Sequence, residues 1–198
     1  LPKINTVLYD LKLPSSGKQV EYRPFLVKEE KILLTALEGK DDKDMSRAIK
    51  QIITQCVSTE GFNVNKLPMI DLEYLFLNIR GKAVGDISTI SFEHECGEII
   101  KLDIDLSKVK VVKNKNYSDL VKLTDNIMIR LSPPGIDNVI GAGDKNQIDM
   151  VMEIIRDSIV EIIQGEDVFS AQDHTREELE EFLDNLNSGQ FKKLQDYY

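Results

Sequence analysis

His94, His174, Cys56 and Cys96 are all the imidazoles and thiols that this 198-residue chain contains. His94 and Cys96 are the only local pair, one residue apart. Structural zinc needs four nitrogen or sulfur ligands, usually delivered as two close-spaced pairs. Here the second pair is missing, and Cys56 falls on the apolar stripe of a helix. A small zinc-dependent adaptor built on the His94/Cys96 hairpin is the alternative these residues leave open. Nucleophilic catalysis needs a base beside the thiol or hydroxyl and a third group to orient that base. His174, in an acidic stretch, and His94, in a turn, offer no such arrangement. The chain also contains no nucleophile elbow.

The carboxylates read more simply as solvated groups. Asp103 and Asp105 share one strand face, because side chains alternate with period 2, and Leu102, Ile104 and Leu106 take the other. Gly141-Ala142-Gly143-Asp144-Lys145 lacks the spacing of a P-loop or a dinucleotide fingerprint and reads as a connection. No catalytic residue, cofactor site or metal ligand is assigned, and no small-molecule substrate is expected.

Composition narrows the field further. The chain is 41% hydrophobic and 30% charged, with a formal net charge of −9 and no Trp. Binding to duplex DNA draws most of its affinity from neutralised phosphates, so nucleic acid is not an expected partner. The lysines of 108–115 read as protection of a strand edge. Two distant cysteines make no disulfide framework and suit a reducing compartment. No segment approaches the roughly 20 apolar residues of a membrane span, and Leu1-Pro2-Lys3-Ile4-Asn5 has no apolar signal core. Neither membrane attachment nor a signal peptide is expected.

The elements follow from periodicity. Val7–Leu13 and Lys18–Phe25 alternate around Pro14-Ser15-Ser16-Gly17, a hairpin with a four-residue turn, and Pro24 ends its second strand. A helix is expected over Val27–Leu37, with Lys28, Glu29, Glu30 and Lys31 in water and Gly39 as its stop. A second is capped by Asp41 or Asp42 and carries Met45, Ala48, Ile49, Ile52, Ile53 and Cys56 at helical spacing. A third is capped by Asp71, apolar nearly all round and ended by Gly81. Asp86–His94 and Glu98–Leu106 form a hairpin around Glu95-Cys96-Gly97. Val109–Val112, Val121–Leu123 and Ile127–Leu131 are expected to extend it into an antiparallel meander. Ser132-Pro133-Pro134-Gly135 opens a breaker-rich connection, after which a helix runs from Ile148 to about Gly165. Thr175 and Glu178 form a capping box, and Thr175–Tyr198 reads as an acidic, mobile docking arm; residues 166–184 hold eight carboxylates and one Arg. The fold class is α+β, divided into a 1–131 core of hairpin, three helices and meander, a 132–147 connection, and a 148–198 helical segment with an acidic tail.

Several strings carry a resemblance. Leu1-Pro2-Lys3-Ile4, Leu13-Pro14-Ser15-Ser16-Gly17-Lys18 and the run from Tyr22 to Lys31 are similar to the start of small baseplate hub proteins of T-even-like contractile-tailed bacteriophages. Asp71–Leu77, Ile79-Arg80-Gly81-Lys82 and Val84-Gly85 form a second block. Ile104-Asp105-Leu106, Val109–Val111, Phe182–Leu186 and Gln190–Gln195 continue it to the end. The resemblance implies a non-enzymatic hub subunit or hub-assembly chaperone. Its partners would be other baseplate hub proteins or the tape-measure protein, met in the host cytoplasm during assembly and in the virion tail baseplate if the protein is retained. Tyr22, Arg23, Phe25, Lys28, Glu29, Tyr74, Phe76, Arg80, Phe182, Leu186, Phe191 and Leu194 are the expected contact or fold-signature positions. Arg23 and Arg80 are expected to bridge to helix acids, as a planar guanidinium does well.

Overall fold

The computed structural model describes residues 6–39, 41–112, 117–141 and 147–197, in two units, Leu1–Val112 and Lys113–Tyr198. Leu1-Pro2-Lys3-Ile4, most of the Gly141–Lys145 string, the 113–115 part of the lysine run and Tyr198 lie outside the described residues.

In the first unit, β1 (Tyr9–Lys12) and β2 (Gln19–Tyr22) pair antiparallel, with Tyr9 opposite Tyr22. Gly17 takes φ +70° in their turn, where its N–H donates to the Leu13 carbonyl at 2.9 Å. A residue with a Cβ is strained in that conformation. The hairpin buries Leu13, Val20 and Tyr22. Helix α1 (Val27–Gly39) follows, then α2 (Asp42–Cys56), whose cap Asp41 accepts from the Lys43 N–H at 2.8 Å. The expected stripe of α2 faces inward through Ala48, Ile52, Ile53 and Cys56. Beyond it, Val57 bridges to Tyr22 and the Ser58 N–H donates to the Glu21 carbonyl, so the chain leaving α2 clamps β2.

Helix α3 (Met69–Val84) departs from expectation at both ends. It begins after Pro68, with no side-chain cap. Asp71 is buried in its first turn and instead accepts from the backbone N–H of Ser15 at 2.8 Å and from the Ser15 hydroxyl. The carboxylate thus pins the β1–β2 turn onto α3. Gly81 does not end the helix; Gly85 does, at φ +111°. A Cβ at Gly81 would lie 2.8 Å from Asp86 Oδ1, so a small residue lets the chain fold back against the helix. Leu72, Leu75 and Ile79 are buried, while Tyr74, Phe76 and Leu77 are half-buried. Full burial is thus concentrated on the Leu72–Leu75–Ile79 face, and the remaining apolar side chains are only partly covered.

Strands β3 (Ile87–Glu93) and β4 (Ile99–Asp105) make the expected hairpin, with Ile90 opposite Leu102 and Phe92 opposite Ile100. The meander does not form. Val109–Val112 is not a strand, and β5 (Leu120–Lys122) and β6 (Ile127–Leu131) belong to the second unit. There they join β7 (Ile159–Gln164) and β8 (Asp167–Ser170) in an antiparallel sheet of order β5-β6-β7-β8. The chain divides after Val112, ahead of the proline-rich 132–147 stretch. The sheet partners of β5 and β6 come from later in the sequence, and that decides the grouping.

Within the second unit, α4 (Ile136–Gly141) precedes α5 (Gln147–Ser158), which stops well before Gly165. The β-branched run from Ile159 leaves the helix for the sheet, and Arg130 on β6 fixes it by donating to Glu161 at 2.7 Å. Gly165, at φ +61°, turns the β7–β8 hairpin. Helices α6 (Arg176–Asp184) and α7 (Ser188–Gln195) both start with capping boxes, Thr175 with Glu178 and Asn187 with Gln190. They are not a detached arm. Leu183 and Leu194 are buried with Leu123, Ile129, Leu131, Ile155 and Ile159, and Phe182, Leu186 and Phe191 pack against that cluster. Burying each such side chain contributes roughly 1.5–3 kcal/mol toward holding the two short helices against the sheet.

Candidate functional site

The expected contact residues divide between the units, and most of them hold the fold. Arg23 leaves β2 and wraps the start of α1. Its Nη2 donates to Glu29 Oε1 at 2.9 Å and to the Gln55 carbonyl at 3.0 Å, and its Nη1 donates to the Pro24 carbonyl at 2.9 Å. Glu29, expected in water, is fully buried. Its other oxygen accepts from the Leu26 N–H at 2.8 Å, and Lys28 Nζ lies 3.3 Å from Oε1. Burial opposes ionisation of Glu29, but the hydrogen bonds from Arg23, Leu26 and Lys28 outweigh it and hold the carboxyl below its usual range. Tyr22 is buried beside this cluster, and burial, reinforced by Tyr9 and Asp86, pushes its phenol up to about 12. Phe25 is buried as well.

The other expected bridge does not form. No carboxylate pairs with Arg80 among the described residues, and its Nη1 is buried without a hydrogen-bond partner. In the second unit, Phe182, Leu186, Phe191 and Leu194 all belong to the core or its border.

The ligand-type residues do not converge either. His94 Nδ1 lies 3.0 Å from Cys96 Sγ at the exposed β3–β4 turn. Cys56 is buried on α2, and burial pushes its thiol up to about 11. His174 lies 3.4 Å from Glu178 in the second unit. No group of three or more His, Cys, Asp or Glu among the described residues can hold a metal ion, so the zinc-adaptor reading is not favoured. Asp103 accepts from Thr89 Oγ1 at 2.6 Å on the hairpin face that also carries the exposed Ile87 and Ile99, and Asp105 caps a turn at Ser107 while pairing with Lys108 at 3.0 Å.

One groove, of about 810 Å³, lies along α5, α6 and α7 and is rich in acids. Two of its carboxylates flank a nearly buried cation: Arg156 lies 3.2 Å from Glu153 and 3.7 Å from Glu180, and it also pairs with Asp157, outside the groove, at 2.9 Å. Arg176 also reaches Glu153. These pairs fasten α6 to α5 and give Glu153 and Glu180 cationic partners, a poor setting for general acid–base work by either.

The feature that the sequence reading missed is the uncovered face of the β3–β4 ribbon. By strand alternation, Ser88, Ile90 and Phe92 share one face with Ile100, Leu102 and Ile104. Phe92, Ile100 and Leu102 are each 52% exposed and Ile90 is 38% exposed. Among the described residues the ribbon is a sheet of two strands. Such a hairpin is marginal alone in water, and here its root is closed by the Leu106 N–H donating to the Asp86 carbonyl at 2.7 Å. The alternation of Ile100, Leu102 and Ile104 was legible. What nothing in the sequence supplied was the absence of a layer over them.

Residues 6–198 match the family described as T4 bacteriophage base plate protein. The chain belongs to that family. No curated protein and no solved structure matches it. Among the described residues no helix is long and apolar enough to cross a membrane.

Proposed function

We propose that this base plate protein is a non-enzymatic component or assembly chaperone of the baseplate hub. It acts by covering its β3–β4 ribbon against other hub proteins or the tape-measure protein, in the host cytoplasm and, if retained, in the virion tail. The observation that carries this reading is the ribbon's uncovered apolar face, four large side chains gathered on one face of two strands at 38–52% exposure in a member of this family. The acidic balance of the chain supports protein partners over nucleic acid. Asp103, Asp105, Glu153, Asp157 and Glu180 are each engaged in a hydrogen bond, a turn cap or an ion pair.

Affinity isolation of the tagged protein from infected cells, followed by mass spectrometry, tests the proposal. Recovery of hub subunits or the tape-measure protein is the expected result. Recovery of no tail component would overturn it. Mass spectrometry of mature particles beside assembly intermediates separates the component from the chaperone.

A further inference from the structure

The β3–β4 ribbon has a charge pattern as well as an apolar face. Between Asp86 and Asp105 the sequence holds six carboxylates and a single lysine, Lys101. At the root these charges are answered: Asp86 pairs with Lys82 at 3.2 Å and Asp105 with Lys108 at 3.0 Å. At the tip they are not. Glu93, Glu95 and Glu98 have no cationic partner among the described residues, and all three are exposed. The ladder ends with the His94 N–H donating to the Glu98 carbonyl at 2.9 Å. Alternation therefore puts Glu98 on the same face as Ile100 and Leu102, directly beyond the apolar patch.

Resting on the baseplate reading above, we infer that this face docks a second protein whose contact surface has an apolar centre bordered by Lys or Arg. The apolar side chains supply contact area, and the tip acids select the partner's rim and its orientation. Charges at an interface rim act chiefly through specificity and association rate. The same ribbon of a second copy does not fit. Placed tip to tip, two ribbons bring unanswered glutamates together. Placed tip to root, they bring glutamates onto Asp86 and Asp105, whose cations are already engaged.

The test uses the full chain and the baseplate subunits and tape-measure protein of its own phage, each purified singly, with affinity measured by calorimetry at low and high salt. Three variants accompany the wild type: Phe92→Ser with Leu102→Ser, Glu95→Lys with Glu98→Lys, and the charge-neutral Ile87→Ser with Ile99→Ser on the opposite face. All positions are exposed, and the circular dichroism melt of each variant should match the wild type. The inference expects one subunit to bind, with affinity falling as salt rises. The apolar double variant should lose at least tenfold and the charge-reversed variant about tenfold, with the opposite-face variant unchanged. Binding that ignores both ribbon variants would overturn the inference and leave the baseplate reading standing. Binding to no subunit would remove both. Self-association abolished by Phe92→Ser with Leu102→Ser would show that a second copy covers the face, and would also overturn the inference.

Discussion

Replacing Glu29 by Ala should destabilise the first unit by about 3 kcal/mol, the lower end of the cost of breaking a buried ion pair. The figure follows from what the carboxylate leaves behind. Arg23 keeps its bonds to the Pro24 and Gln55 carbonyls, which still solvate part of its charge. It loses Glu29, and the Leu26 N–H loses its acceptor at the first turn of α1. Lys28 is largely exposed and adds little. Glu29→Gln keeps the shape and an acceptor for Leu26 while removing the charge, and should cost about 1–2 kcal/mol, since charge-assisted hydrogen bonds are roughly twice as strong as neutral ones. Arg23→Met combined with Glu29→Leu should recover part of the loss, because neither charge then needs partners. Urea titration read by hydrogen exchange of α1 and α2 peptides isolates the first unit from the second. A shift below about 0.5 kcal/mol for Glu29→Ala, or equal costs for Ala and Gln, would refute the reasoning that the charge is what holds this junction.

Acid should act on the same pair. The folded carboxyl of Glu29 lies below its unfolded value, so its contribution is complete above about pH 4.3 and is lost as pH falls through the folded value; Glu29→Gln should flatten that part of the stability–pH curve. At the alkaline end Tyr22, its phenol pushed up to about 12 by burial, should ionise late, and stability should fall from about pH 10 upward, as followed by absorbance at 295 nm. Thiol labelling at pH 8 should modify Cys96 quickly and leave Cys56 intact in the folded chain, because Cys56 is buried with its thiol near 11; two fast-reacting thiols would contradict that placement. Leu194→Ala should cost the second unit about 2–5 kcal/mol by exchange of α7 and β6 amides, and no loss would return 175–198 to the status of an unattached arm.

Local chemistry was the legible part of this sequence. The stripe of α2, its Asp41 cap, the Thr175 capping box and both hairpins in the first unit depend on residues within a few positions of one another. What was not legible depended on distant partners. Ile155, Ile159 and Ile162 satisfy a helical period, and only the neighbouring strand at Ile127–Leu131 shows why the helix stops at Ser158. Asp71 sits where a helix cap belongs, yet its partner is Ser15, in a turn far earlier in the chain. Glu29 looked like a solvated helix acid because its pattern neighbours are charged, and Arg23 was the signal that such an acid had a place to be buried. The same limit governed the ribbon. Alternation told which face is apolar but not that the strands expected to extend its sheet pair elsewhere.

A photo-activatable phenylalanine analogue placed at position 92 in infected cells tests the central claim most directly, with one placed at Thr89 on the opposite strand face as its companion. The account predicts a cross-link from position 92 to a baseplate protein, identified by mass spectrometry, and little or none from position 89. No baseplate cross-link from position 92, or equal yields from the two faces, would contradict it.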